Sequence, residues 1–298
     1  MSTTNDVLTG AESPDRVFYA TGVLLDANDF TAEQSYHRGR LARALAFLHG
    51  SGTVAGLKVE HELATAPTTE FPQGTEEHLE VNPGLAIDRL GRLIEVPRAA
   101  CMRLGRWYDE IAARRTAEAS GPRKDTVDDL IQAHHGPPFN GVVADVFLRF
   151  AACERGKTPA FATGPFDALD AVQPSRLRDA YELKLVLRKE ANPPLPESHW
   201  PDLGSIADPA ARRTAVQEAI FNAWPRDETL DPDDPEPTLE YPPDFDRAAV
   251  FLARITIPAA PSAAPQTAPA RSADPVRVDN SGRLFVYRAR ALARAHAL

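Results

Sequence analysis

The stretch HLEVNPGLAIDRLGRLIEVP, residues 78–97, restricts the fold more than any other part of the chain. Apolar residues alternate with polar ones at Leu79 and Val81, at Leu85 and Ile87, and at Ile94 and Val96, which predicts three short, half-buried strands. Their connections are only a few residues long. Such links join antiparallel neighbours, because a parallel crossover needs roughly a dozen residues or more. Asn82-Pro83-Gly84 predicts a tight turn with Pro at its first central position and Gly, at positive φ, at its second. Leu90-Gly91 predicts another reversal.

Upstream the period is helical. In LLDANDFTAEQSYHRGRLARALAFLHG, Asp26 is the expected N-cap with Asp29 as its box partner, and Thr31 with Gln34 offers a second box. Phe30, Gln34, His37, Leu41, Leu45 and Leu48 share one face, and Gly50 is placed to end the helix in a left-handed conformation. Residues 53–63 then read as a strand. A helical period returns over 103–119 through Leu104, Trp107 and Ile111, and a short helix over 126–135 is capped by Thr126 with Asp129. NGVVADVFLRFAACERG (140–156) is the most apolar strand and reads as central, with further strands at 181–188 and 249–258. Asp208-Pro209 opens a helix with Val216, Ile220 and Trp224 along one side.

These elements predict an α+β fold: a mainly antiparallel β sheet, sandwich or small barrel, with a long N-terminal helix and helical insertions. Proline supports this, at 27 of 298 residues against 17 glycines, because stiff connectors suit many short strands better than a helical bundle. The expected organisation is a flexible arm (1–17), a core domain (18–257) carrying an acidic Pro-rich loop (226–246), an Ala/Pro-rich linker (258–275), and a terminal hairpin around Asn280-Ser281-Gly282 with a basic tail (276–298). Both Pro-rich segments are expected to be extended, exposed and mobile.

The net charge of −9 argues against nonspecific nucleic-acid binding, which needs Lys and Arg to replace phosphate counterions. Two cysteines, Cys101 and Cys153, make no disulfide framework and suggest a reducing compartment. The opening residues lack the apolar core of a leader, and no apolar run is long enough to insert in a membrane, so a cytoplasmic location is expected.

His49-Gly50-Ser51-Gly52 follows a helix and precedes a strand, the reverse of a phosphate loop or a nucleophile elbow, so a helix cap and hinge is the reading it favours. The histidines show no metal-ligand spacing; His134 and His135 are adjacent, and His37 reads as a core or interface imidazole. Glu80, Asp88 and Glu95 read as a solvated sheet face, since aromatic residues are only 7% and do not gather there. No catalytic residue, metal or cofactor is assigned, and the chain is not read as an enzyme. Arg38, Arg40 and Arg43 form a charged stripe on the first helix, and Arg288, Arg290 and Arg294 a basic tail. The stripe reads as a solvated face with internal ion pairs or as a docking face for an acidic neighbour, and the tail as a frayed terminus or as a docking peptide that orders on a partner.

Four stretches, in order, resemble a component family of extracellular contractile injection systems and related phage tail-like particles. They are YATGVLLDANDFTAEQSYHRGRLARALAFLHGSGTVAGLKV with VNPGLAIDRLGRLIEVP, then ADVFLRFAACE, then SRLRDAYELKLVL, then FLARITIP with VDNSGRLFVYRARAL. The resemblance implies a structural or adaptor subunit that works by protein–protein docking, at the baseplate periphery, a fibre attachment or the cap. Its implied partners are baseplate, sheath, tube, cap or fibre proteins, with homo-oligomerisation inside the particle left open. The particle is expected to assemble in the cytoplasm and leave on lysis. Two alternatives stand beside it: a hydrolase or lyase using Asp88 or another carboxylate with His49 or His78, and a cargo effector of the particle.

Overall fold

The computed structural model describes residues 15–67, 69, 72–115, 124–159, 172–197, 202–222, 240–242, 245–262, 264 and 266–287. Among these lie four helices and twelve strands in mainly antiparallel sheets, an α+β fold as predicted, and the described strands close no barrel. Arg288, Arg290 and Arg294, with the rest of the basic tail, lie outside the described residues, as do Trp224, His199 and His296.

α1 (Ala27–His49) leads into β1 (Gly52–Gly56) and β2 (Val59–Glu62); β3 (His78–Val81), β4 (Gly84–Ile87), β5 (Leu93–Val96) and β6 (Ala100–Arg103) follow. They form two three-stranded sheets, ordered β1-β4-β5 and β2-β3-β6. The predicted strand 53–63 is thus two strands. Gly56 and Leu57 both take left-handed φ, 64° and 58°, and turn the chain from one sheet into the other. The paired chain turns at the same level: the Leu57 N–H donates to the Pro83 carbonyl and the Asn82 N–H to the Lys58 carbonyl. Asn82-Pro83-Gly84 is therefore a corner and no reversal, and Gly84 lacks the predicted positive φ. A Cβ there would lie 2.2 Å from the Ala55 carbonyl oxygen, so Gly84 is needed for close approach of two backbones. The Leu90-Gly91 reversal is present, with Gly91 at φ 81° donating to the Asp88 carbonyl.

α2 (Leu104–Ala113) is shorter than the predicted 103–119 and buries Leu104, Tyr108 and Ile111. α3 (Val127–Gln132) carries the Thr126–Asp129 capping box. It stops before His134-His135, which form β7 on the edge of β8 rather than a last helical turn. β8 (Gly141–Pro159) pairs with β10 (Val250–Ala260) along one edge and with β7 and β9 (Val172–Leu187) along the other, the central position its apolarity predicted. α4 (Pro209–Asn222) exposes Ile220 and buries nothing.

The main core lies between the six-stranded sheet and the two small ones: Val142, Ala144, Val146 and Leu148 of β8 meet Leu79, Val81, Ile94, Val96, Leu104 and Leu130. On the opposite face Phe147 and Phe251 pack with Tyr241 and Phe245. That corrects the acidic loop, whose end is packed: Glu240 is buried and ion-paired to Arg89 at 2.8 Å. The 258–275 segment is corrected likewise. Its ends lie in β10 and in β11 (Ala270–Arg271), paired to each other, and the Pro269 carbonyl accepts from the Tyr108 hydroxyl at 2.7 Å. β12 (Arg277–Asp279) runs along β10, and among the described residues Asn280-Ser281-Gly282 closes no hairpin, since Phe285 pairs with Thr53. The Asn280 amide bonds the N–H and C=O of Val59, buried Arg283 donates to the Leu57 carbonyl at 2.6 Å, and Leu284 and Val286 bond the backbone of Thr53. The chain end thus stitches the corner between the small sheets, and Gly52, whose Cβ would lie 2.6 Å from the Leu284 carbonyl oxygen, makes room for it.

Candidate functional site

The most unusual surface is α1. Its N-terminus forms as the sequence predicts: Asp26 accepts from the N–H groups of Asn28 and Asp29, and Asp29 accepts from the Asp26 N–H at 2.9 Å. At the other end Gly50 has φ 72° with ψ −170°, positive as expected but extended rather than left-handed helical. The packing differs from the expectation. Of its 23 residues only Ala42 is buried, and Gly91 sits so close to it that an added Cβ would lie 1.8 Å from the Ala42 carbonyl oxygen. The face carrying Phe30, Gln34, His37, Leu41 and Leu48 points to solvent, with Leu41 60% and Leu48 77% exposed. His37 is exposed too and lies 3.8 Å from Glu33, so it is no core imidazole. Before the helix, Phe18, Tyr19, Val23, Leu24 and Leu25 add more exposed apolar surface.

Charge on this helix is polar along its axis. Asp26, Asp29 and Glu33 occupy the first part; Arg38, Arg40 and Arg43 stand exposed on the second, with Arg40 above the Tyr36 ring at 5.3 Å.

Of the groups considered for catalysis, Asp88, Glu95 and His49 stand on separate elements, whereas His78 and Glu80 share β3. Asp88 is fully buried, which corrects its placement on a solvated face. It accepts from the N–H of Leu90 and Arg92 and from the Arg92 guanidinium at 2.6 Å, so it anchors the β4–β5 reversal. Burial pushes its carboxyl up against the pull of Arg92. Glu95 is exposed on β5, and His49 is exposed at the end of α1. His134 and His135 bond the carbonyls of Ala259 and Arg188, each at 2.9 Å. His61 and Arg271 both contact Glu77; burial raises the Glu77 carboxyl, but their hydrogen bonds and charges outweigh it and hold the group below its ordinary range.

Three groups do converge. A ring nitrogen of His78, a carboxylate oxygen of Glu80 and Sγ of Cys101 all lie within 4.8 Å of one another on the outer face of the β2-β3-β6 sheet. Glu80 and Cys101 are cross-strand partners, and His78 is two residues from Glu80, hence on the same face. Burial, then the Glu80 charge and hydrogen bond, push the Cys101 thiol up. The signal in the sequence was His78-x-Glu80 at strand spacing. Cys101 could not be joined to it, because its four-residue strand lies between a proline and a helix and shows little alternation.

A buried ionic cluster crosses the sheet on the Phe147 side. The Asp145 carboxylate accepts from Arg188 at 2.9 Å and from two nitrogens of Arg254 at 2.8 and 2.9 Å. Arg254 also donates to the carbonyls of Pro193 and Pro194, and Arg188 to that of Glu240. Every member is satisfied within the chain, and the cluster fastens two connecting segments to the sheet.

Fold and surface together define an antiparallel α+β body carrying an exposed helix with a bare apolar face. No family model matches the chain, and none of the curated proteins matches it. No helix among the described residues is long and apolar enough to cross a membrane.

Proposed function

We propose that the chain is a structural or adaptor subunit of a phage tail-like contractile injection particle, docking on neighbouring subunits through the outer face of α1 and the segment before it. One observation carries the docking: a 23-residue helix that buries only Ala42 and leaves Phe30, Leu41 and Leu48 in water. Helices in proteins draw most of their stability from tertiary burial, so an apolar face left bare invites a covering partner. The occupant that fits is an amphipathic helix of a neighbouring subunit, acidic where it passes Arg38, Arg40 and Arg43. The ordered resemblance of four sequence stretches supports the particle as the setting. The tail arginines Arg288, Arg290 and Arg294 belong to the same reading as a second docking element.

The test is co-sedimentation with sheath and tube proteins from cells that make the particle. Replacing Leu41 and Leu48 by Ser is expected to remove the chain from the particle fraction while its melting temperature changes little. Replacing Arg288, Arg290 and Arg294 by Ala is expected to weaken incorporation, again at unchanged melting temperature. Recovery of the unaltered chain solely as a free monomer refutes the proposal.

A further inference from the structure

The outer face of the β2-β3-β6 sheet holds a second, chemically distinct feature. We propose that His78, Glu80 and Cys101 form a three-ligand zinc site, with the fourth tetrahedral position facing solvent.

The donor set decides the class of ion. Imidazole nitrogen, thiolate sulfur and carboxylate oxygen together suit Zn²⁺, whereas Mg²⁺ and Ca²⁺ take all-oxygen sets. Once the thiol gives up its proton, one thiolate and one carboxylate balance a divalent charge, with His78 neutral. The spacing requires little movement. The three donor atoms lie within 4.8 Å of one another, and Cys101 Sγ is 3.9 Å from Glu80 Oε2, close to the separation that a tetrahedral ion imposes on its ligands.

The surroundings prepare the site. Nδ1 of His78 lies 2.8 Å from the Glu76 carbonyl oxygen, which places the ring proton on Nδ1 and the lone pair on Nε2. A backbone carbonyl that fixes the tautomer in this way is the usual support of a metal-binding imidazole. The strands themselves are rigid, because the alternate residues Leu79 and Val81 are fully buried on the other side. Neighbouring charges are already engaged: Arg103 with Glu76 at 3.6 Å, and Lys58 with Glu60 at 2.6 Å. Among the described residues, no cation is paired with the Glu80 carboxylate or the Cys101 sulfur.

The experiment uses the untagged full chain and Zn²⁺ or Co²⁺ alone. One equivalent of Zn²⁺ is expected to bind, measured by competition with a chromophoric chelator. Co²⁺ is expected to give tetrahedral d–d bands with a thiolate-to-cobalt charge-transfer band. C101S should abolish the charge-transfer band and C153S should keep it. H78A and E80Q should each weaken Zn²⁺ binding by about tenfold or more. All four side chains can be changed without opening the core, so metal-free melting temperatures should stay near that of the unaltered chain. Absence of a stoichiometric Zn²⁺, a cobalt spectrum lacking the sulfur band, or unchanged affinity in H78A would each overturn the assignment. None of these outcomes bears on whether α1 docks, so the two proposals fail separately.

Discussion

Removing the Asp145 carboxylate tests whether one buried anion holds the sheet and its two connecting segments together. Asp145→Ala leaves Arg254, 10% exposed, without its buried counter-ion, and leaves Arg188, 0% exposed, with only the half-exposed Glu190 carboxylate at 3.2 Å. Breaking a buried pair by deleting one partner costs about 3–5 kcal/mol, since the remaining charge is left uncompensated. Here one carboxylate serves two guanidiniums through three hydrogen bonds of 2.8–2.9 Å, which places the expected loss near the upper end, about 5 kcal/mol. The Glu190 carboxylate beside Arg188 and the carbonyls of Pro193, Pro194 and Glu240 keep each guanidinium partly satisfied and hold the loss at that level rather than above it. A domain of this size loses about 2–4 °C of melting temperature per kcal/mol, so a drop of about 10–20 °C is expected. Urea unfolding should show a lower midpoint at an unchanged slope. The double variant D145A/R254A should lose less than the sum of its single variants by about 1 kcal/mol or more, because the two residues share one interaction. A D145A variant within about 1 kcal/mol of the unaltered chain, or strictly additive singles, would refute the reasoning.

Two further predictions concern how the parts are held. Gly91→Ala puts a Cβ 1.8 Å from the Ala42 carbonyl oxygen and a side chain at φ 81°; the conformation alone costs about 1–2 kcal/mol, and the clash should lift α1 off the body, read as faster amide exchange over residues 35–46. Glu77 has a folded-state pKa below its ordinary 4.5, so the unfolded chain takes up the proton first as pH falls. Its contribution is thus present above about pH 4.5 and lost as pH drops through the lowered folded value. E77Q should lower stability at neutral pH and narrow the gap to the unaltered chain in acid, measured by urea midpoints across that range.

The elements themselves were legible because each writes its own local pattern. The Asp26–Asp29 and Thr126–Asp129 boxes, the Leu90-Gly91 reversal and the apolar run of β8 all appear where the sequence places them. The four-residue strand β6 was missed, and with it Cys101 as a neighbour of Glu80, since cross-strand pairing leaves no trace in spacing along one chain. The β8–β9 ladder runs to Pro159 and Val172, well past the apolar residues that marked its two strands. Backbone pairing carried it on where side-chain pattern had ended. The VDNSGRLF segment carried turn residues, yet its role is set by Asn280 and Arg283 reaching Val59 and Leu57, more than two hundred residues away in sequence.

Sequence alone determined that α1 is amphipathic and where it starts and stops, because period and capping are properties of neighbouring residues. It did not determine which face turns inward. That was decided by Gly91, whose missing side chain admits Ala42 against the β4–β5 turn and leaves Leu41 and Leu48 in water. In the same way, Asp88 and Asp145 look like any other acidic residue in the chain until the sheets close over them. Burial and partnership are properties of the packed chain, fixed by contacts that form only when distant segments meet.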